Sequence, residues 1–232
     1  MSIKTLIIGL GKIGMGYDFN LAPSKLIASH AQALDFHEGF ELVGGVDVDA
    51  QSRKSFSEKF QKPTYPKSTT ALDELLPDII TIAVPTKFHL VSLREILGEY
   101  TPKLILLEKP LSYDMSEAYE ILGISTDVPI AVNYFREYEP KYRSAFSSIA
   151  NGLLGFPLKV VIHYSKGILN NGSHFIRYIS HLMGDFTKLK IIEEGPVCEK
   201  DDPEPDVHIT FNHGTAFLIA HDEKNYSHYE RI

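Results

Sequence analysis

A chain of 232 residues, 44% hydrophobic and 23% charged, can bury enough apolar surface for one large or two small domains without metal or disulfide support. Its net charge of −7, with no clustered basic run, argues against a nucleic-acid partner and for small molecules. The single cysteine, Cys198, excludes an internal disulfide and a multi-cysteine zinc or iron–sulfur site, so no metal is expected and a reducing compartment suits the chain.

The apolar run before Gly9 is too short for a signal peptide and reads as a first strand. No apolar stretch nears the ~18 to 20 residues that span a bilayer, so a cytoplasmic protein without a membrane partner is expected. Short apolar runs suggest strands at Leu6 to Ile8, Glu41 to Val46, Ile79 to Ala83, Leu104 to Leu107 and Ile130 to Val132. Segments of helical period separate them, at Ala28 to His37, Ala50 to Phe60, Ala71 to Leu75, Phe88 to Leu97 and Met115 to Leu122. Strict alternation of this kind predicts an α/β fold, an N-terminal doubly wound parallel sheet of the Rossmann type over residues 1–132.

From Asn133 the rhythm changes, and residues 133–232 read as a smaller α+β domain with a mostly antiparallel sheet. A helix ending near Gly152 and another over Ser173 to Met183 accompany strands at Leu158 to Tyr164, Leu189 to Glu193, Val207 to Phe211 and Thr215 to His221. The acidic, proline-bearing run Glu199 to Asp206 reads as a solvated loop.

Chemistry begins at Gly9-Leu10-Gly11-Lys12-Ile13-Gly14, directly after the first strand. Glycines at this spacing let the backbone approach a pyrophosphate while a helix start offers unpaired N–H groups; the alternative is a tight turn that binds nothing. Asp47, at the end of the second strand, can accept from both adenosine ribose hydroxyls and repels a 2′-phosphate, which favours NAD over NADP. Their long separation implies an insertion, Met15 to Lys25, read as a surface loop unless Tyr17 and Asp18 line the site. Asp49 either shares the ribose role or caps the next helix. The fourth strand runs into Ala83-Val84-Pro85-Thr86 with His89, and the fifth into Glu108-Lys109-Pro110. Both sit where open α/β sheets bind ligands, although Glu108-Lys109 reads equally as a solvated strand end.

Together these residues resemble the sugar oxidoreductases named for glucose–fructose oxidoreductase, inositol dehydrogenase and the rhizopine protein MocA (Gfo/Idh/MocA). The likeness continues through Asn133-Tyr134-Phe135-Arg136 with Pro140, and through Gly172-Ser173-His174 with Gly184. It implies an NAD(P)-dependent dehydrogenase or reductase acting on a hydroxyl or keto carbon of a sugar, and a homo-oligomer. Cofactor contacts would come from Gly9, Gly11, Lys12, Ile13, Gly14, Asp47, Pro85, Thr86, His89, Glu108 and Lys109. Lys109 and His174 would exchange the hydroxyl proton, while Asn133, Tyr134, Arg136 and Arg177 would bind substrate. Tyr164-Ser165-Lys166-Gly167 and Asn171-Gly172-Ser173-His174 are similar to members that act on nucleotide sugars.

Three departures stand out. Asn170 occupies the place of an acid in the implied catalytic set, and an amide holds a hydroxyl but cannot accept its proton. Arg177 replaces another acid, which suggests either an anionic substrate group or a packing partner. The C-terminal part is also short for the family, as a reduced domain or a truncated product. The competing reading is an NAD-binding regulatory or assembly subunit with impaired catalysis.

Overall fold

Alternate residues of a strand face opposite sides of its sheet, and in the first strand both sides are apolar: Leu6 and Ile8 join one core, Ile7 another. A strand buried on both faces needs helices above and below it, which is the doubly wound arrangement. The computed structural model describes residues 2–23, 25–124, 127–197 and 202–221. Its chain divides into two compact units, Met1–Asn133 and Tyr134–Ile232.

In the first unit the strands are β1 (Ile3–Ile8), β2 (Phe40–Val46), β3 (Thr64–Tyr65), β4 (Ile79–Ile82), β5 (Leu104–Leu107) and β6 (Ile130–Val132). All pair in parallel, in the order β3-β2-β1-β4-β5-β6. The order reverses between β1 and β4, the switch point where such sheets leave a crevice at their carboxyl ends. The helices are α1 (His30–Phe36), α2 (Ala50–Phe60), α3 (Ser68–Leu75), α4 (His89–Glu99) and α5 (Met115–Gly123). Side-chain caps set three of their starts. Ser29 accepts from Gln32 N, Asp49 from Ser52 N, and Asp114 from Ser116 N and Glu117 N. Helix α1 therefore begins two residues later than the hydrophobic period suggests.

The insertion is not a surface loop throughout. Lys12–Gly16 forms a single π-helical turn, and although Tyr17 is exposed, Asp18 is completely buried. Its carboxylate accepts from Ala28 N at 2.5 Å and Ser29 N at 2.9 Å, and also from Ser29 Oγ. Burial raises its pKa, but these hydrogen bonds outweigh that and hold it below the ordinary value. Asp18 thus ties the insertion to the cap of α1.

The second unit has α6 (Pro140–Ala150), β7 (Leu158–Tyr164), α7 (Ser173–Met183), β8 (Phe186–Glu193), β9 (Asp206–Phe211) and β10 (Gly214–Ala220). Its sheet runs β7-β10-β9-β8, with β10 parallel to β7 and the other two pairs antiparallel. Phe175, Tyr178, Ile179, Leu182 and Met183 recur at helical spacing along α7 and pack with Ile162, Ile209 and Leu218 in one core. Strand β8 begins earlier than expected and is exposed along its length.

The acidic run is a correction. Residues 199–201, with Cys198, lie outside the described residues, but Asp202 and Glu204 are only 2% and 1% exposed. Backbone amides compensate their charges, a long-range pairing that composition does not reveal.

Candidate functional site

The carboxyl ends of β1, β2, β4, β5 and β6 collect the first unit's candidate residues on one edge of its sheet. Gly9 leaves β1 at φ 99, and a Cβ there would lie 2.6 Å from Ala83 C and 2.7 Å from Val84 N. Gly14 has no room either, because a Cβ would run into Gly9 O. Gly11 differs: a Cβ there would meet nothing within 4 Å. The outer two glycines are thus required by packing, and the middle one leaves open space. The amides of Lys12, Ile13 and Gly14 have no hydrogen-bond partner among the described residues, whereas Met15 N and Gly16 N both donate to Gly11 O. Open space beside unpartnered amides suits a pyrophosphate.

Asp47 follows β2 and is half-buried. Its Oδ2 accepts from Leu10 N at 2.7 Å, tying it to the glycine turn, and its Oδ1 accepts from Asp49 N at 2.8 Å. A carboxylate has about four acceptor positions, so room remains for ribose hydroxyls. Arg53, one turn into α2, donates through Nη1 to the carbonyls of Asp47 and Val48 at 2.7 and 2.9 Å.

At the end of β5, Glu108 is 7% exposed, not a solvated strand end. Its Oε1 lies 2.7 Å from His30 Nε2 and 2.6 Å from Asn133 Nδ2. An ionised carboxylate only accepts, so His30 donates from Nε2 and Asn133 from its amide. Burial pushes Glu108 up, but the two hydrogen bonds, with the charges of His30 and Lys109, bring it below its ordinary value. Lys109, next in sequence, is half-buried and joined to Pro110 by a cis peptide. Pro85 and Thr86 open a 3₁₀ turn at the end of β4. His89 behind them is 1% exposed, with its two ring nitrogens each 3.2 Å from the carbonyls of Val84 and Leu111. Burial holds this imidazole below its ordinary value, which favours the neutral ring, and a neutral ring donates to one of the two carbonyls. It braces the β4 and β5 ends against each other.

In the second unit, His174 stands in the first turn of α7 and is 5% exposed. The rings of Tyr134 and Phe135 meet it edge-on, at 5.4 and 5.6 Å between centroids. Burial raises the Tyr134 phenol above its ordinary value, more than its hydrogen bond with Ser173 and the nearby Arg177 lower it. The Arg136 guanidinium lies over the Phe175 ring at 5.3 Å. Asn170 is exposed; its N donates to Asp202 Oδ2 at 2.7 Å and its Nδ2 to Lys166 O at 3.2 Å. Arg177 donates from Nε to Glu137 at 2.6 Å, within reach of the packing alternative.

The family model for Gfo/Idh/MocA, described as an oxidoreductase family with an NAD-binding Rossmann fold, matches residues 3–127. The chain belongs to this family. It is 29% identical over 144 residues to the glucose-6-phosphate 3-dehydrogenase of Bacillus subtilis (strain 168), covering 60% of this chain and 39% of that protein. It is also 29% identical over 161 residues to the uncharacterized oxidoreductase YrbE of the same organism, covering 67% of this chain and 42% of that one. The matches thus span about two fifths of the length of these curated relatives. Among solved structures, it is similar to the myo-inositol dehydrogenase of Lactobacillus casei in complex with NAD(H) and myo-inositol. There the TM-score is 0.76 and the identity 19%, over 99% of this chain and 70% of that chain. The NAD-binding fold of the Gfo/Idh/MocA family is therefore the frame in which the glycine turn and Asp47 lie.

Sequence reasoning missed four residues of this member: His30, Arg53, Asp202 and Glu204. Arg53 had a detectable signal, a cation one helical turn beyond the acid that ends β2. The other three act across long sequence separations. No group of three metal-ligating side chains occurs among the described residues, and no described helix is long and apolar enough to cross a membrane.

Proposed function

We propose that this protein is an NAD-dependent oxidoreductase that moves a hydride between the nicotinamide and a hydroxyl or keto carbon of a sugar, sugar acid or cyclic polyol. The observation that carries the reading is the glycine turn: unpartnered amides at Lys12, Ile13 and Gly14, open space at Gly11, and the Asp47 carboxylate tied to Leu10 N. These residues would hold the pyrophosphate and the adenosine ribose. NAD, when bound, supplies the hydride acceptor. Asp47 disfavours the additional phosphate of NADP, and the near Arg53 Nη1 is engaged by two carbonyls.

Removing hydride from a hydroxyl-bearing carbon requires the hydroxyl proton to leave as well. We assign that proton exchange to Lys109 and His174, histidine being the side chain whose ordinary pKa lies nearest neutrality. Glu108 is a buried anion next to Lys109 in sequence, and the Tyr134 and Phe135 rings orient His174. Tyr134 and Arg136 are assigned to the substrate side. Asn133 holds Glu108 and so serves the substrate indirectly.

The test is turnover of a panel of sugars, sugar acids, cyclic polyols and nucleotide sugars with NAD and with NADP, by wild-type protein and by Lys109→Ala. Turnover with NAD, reduced about a hundredfold or more in Lys109→Ala, is the expected result. Activity that survives Lys109→Ala overturns the assignment. The second reading, an NAD-binding regulatory or assembly subunit, is favoured by Asn170, which cannot take a proton and whose side-chain amide is donated to Lys166 O. Tight NAD binding without turnover across the panel would establish it.

A further inference from the structure

Between β7 and α7 the chain turns through Lys166 at φ 68 and Gly167 at φ 84, both left-handed. Such a turn gathers successive N–H groups on one side, a concavity that attracts anions. Here the chain fills it with its own carboxylates. Glu204 Oε1 accepts from Lys166 N and, at 3.2 Å, from Gly167 N. Asp202 accepts from Leu169 N through Oδ1 at 2.9 Å and from Asn170 N through Oδ2 at 2.7 Å. Between them Ile168 N donates to Pro203 O at 2.8 Å, and Tyr164 Oη donates to Pro205 O at 2.6 Å. Every amide from Lys166 to Asn170 is therefore bonded to the segment 202–204. A Cβ on Gly167 would run into the Asp202 carboxylate, so the fit is close.

We propose that Asp202 and Glu204 are positioning residues for the loop that leads into α7, built-in anions that fix residues 166–170 and so position Asn170 and His174. This rests on the oxidoreductase reading, in which His174, four residues beyond that loop, exchanges the substrate proton. One corollary concerns specificity. The amides that could hold a phosphate or carboxylate of the substrate are already engaged by buried negative charge, so the substrate group meeting this turn is uncharged.

The two acids use their oxygens differently, which makes conservative variants informative. Asp202 gives one oxygen to each amide, so Asp202→Asn keeps one acceptor and turns an N–H₂ toward the other amide. Glu204 receives both amides on Oε1, while Oε2 is buried with no partner among the described residues, so Glu204→Gln retains both bonds. Amide hydrogen exchange and KM are measured for wild type, Asp202→Asn, Asp202→Ala and Glu204→Gln, with formate or, at equal ionic strength, chloride. Asp202→Asn is expected to speed exchange at Leu169 and Asn170 about tenfold, the effect of one buried donor left unsatisfied. Glu204→Gln shows the smaller change, and β9 and β10 keep their protection. Formate, entering as the missing anion, restores Asp202→Ala, and chloride does not. KM for the substrate found by the panel rises about tenfold in Asp202→Asn while KM for NAD stays unchanged.

Unchanged exchange at these amides, or a general loss of protection without formate rescue, overturns the proposal. So does faster exchange with unaltered substrate KM, since the acids would then fix the loop without serving the substrate. Wild-type protein without turnover overturns the proposed function instead, and the exchange and formate results then decide the role of the two acids in the loop by themselves.

Discussion

Glu108 at the end of β5 and the pair Asp202 and Glu204 ahead of β9 are all less than a tenth exposed, yet different kinds of donor meet them. Glu108 is held by side chains, His30 and Asn133, brought from α1 and the end of β6. Asp202 and Glu204 are held by main-chain amides of one loop. A carboxylate held by side chains joins elements far apart in the chain, and any of its partners can be lost by substitution. One held by amides organises backbone, and no substitution of a partner side chain removes its donors. The first arrangement ties α1 and β6 to the residue before Lys109; the second shapes the approach to His174.

The largest effect that can break this comparison is expected from Glu108→Ala. It leaves the His30 N–H and the Asn133 amide without an acceptor in a buried site, which costs about 2 to 4 kcal/mol in a urea unfolding measurement. Glu108→Gln can keep both bonds, because both donors use Oε1, and removes only the charge. The pH dependence separates the two contributions. The folded pKa of Glu108 lies below its ordinary 4.5, so its ionised form stabilises the fold fully above that value. The contribution is lost as pH falls through the folded pKa. Wild type and Glu108→Gln should therefore differ above about pH 5.5 and converge as the pH falls through the folded pKa of Glu108. A gap that persists unchanged at low pH would show that charge is not what Glu108 contributes.

A smaller effect is expected at Asp47, where amide donors hold a carboxylate of the first unit. Asp47→Asn can retain one of the two amide bonds, so stability should fall by only about 1 kcal/mol. The ribose acceptor is weakened as well, and affinity for NAD, read by fluorescence titration, should drop about tenfold. Affinity for NADP should drop less, because the repulsion of its phosphate goes with the charge. Equal losses for both cofactors would remove Asp47 from the specificity argument.

The parts of this architecture visible in the sequence are those with a local cause. Apolar runs marked β1, β2, β4, β5 and β6, and the glycine spacing marked the turn, because strand burial and backbone approach are set by neighbouring residues. Two-residue β3 carries no period and escaped notice. Helix α3 begins at Ser68 instead of Ala71, where Ser68 Oγ donates to Glu95 across 27 residues at 2.5 Å. His30 and Glu108 are 78 residues apart, and Lys166 and Glu204 are 38 apart. Each of these acids looked solvated in its own context. What keeps it in the interior is a donor that only the tertiary structure supplies.

The smallest effect is expected where a carboxylate keeps its contact with water. Glu137 accepts from Arg177 Nε at 2.6 Å, with His181 Nε2 at 3.4 Å, but the Arg177 side chain is half exposed. Exposed pairs of this kind contribute about 0 to 1 kcal/mol, since solvent screens the attraction and two long side chains must be ordered. Arg177→Ala should accordingly shift the urea midpoint little, and added salt should shrink even that difference. The same variant also decides between the two readings of Arg177. A packing partner leaves substrate KM within about twofold of wild type, whereas a group that binds a substrate anion raises KM about tenfold or more with stability unchanged. We expect the first outcome, because the Glu137 carboxylate already pairs with the Arg177 guanidinium.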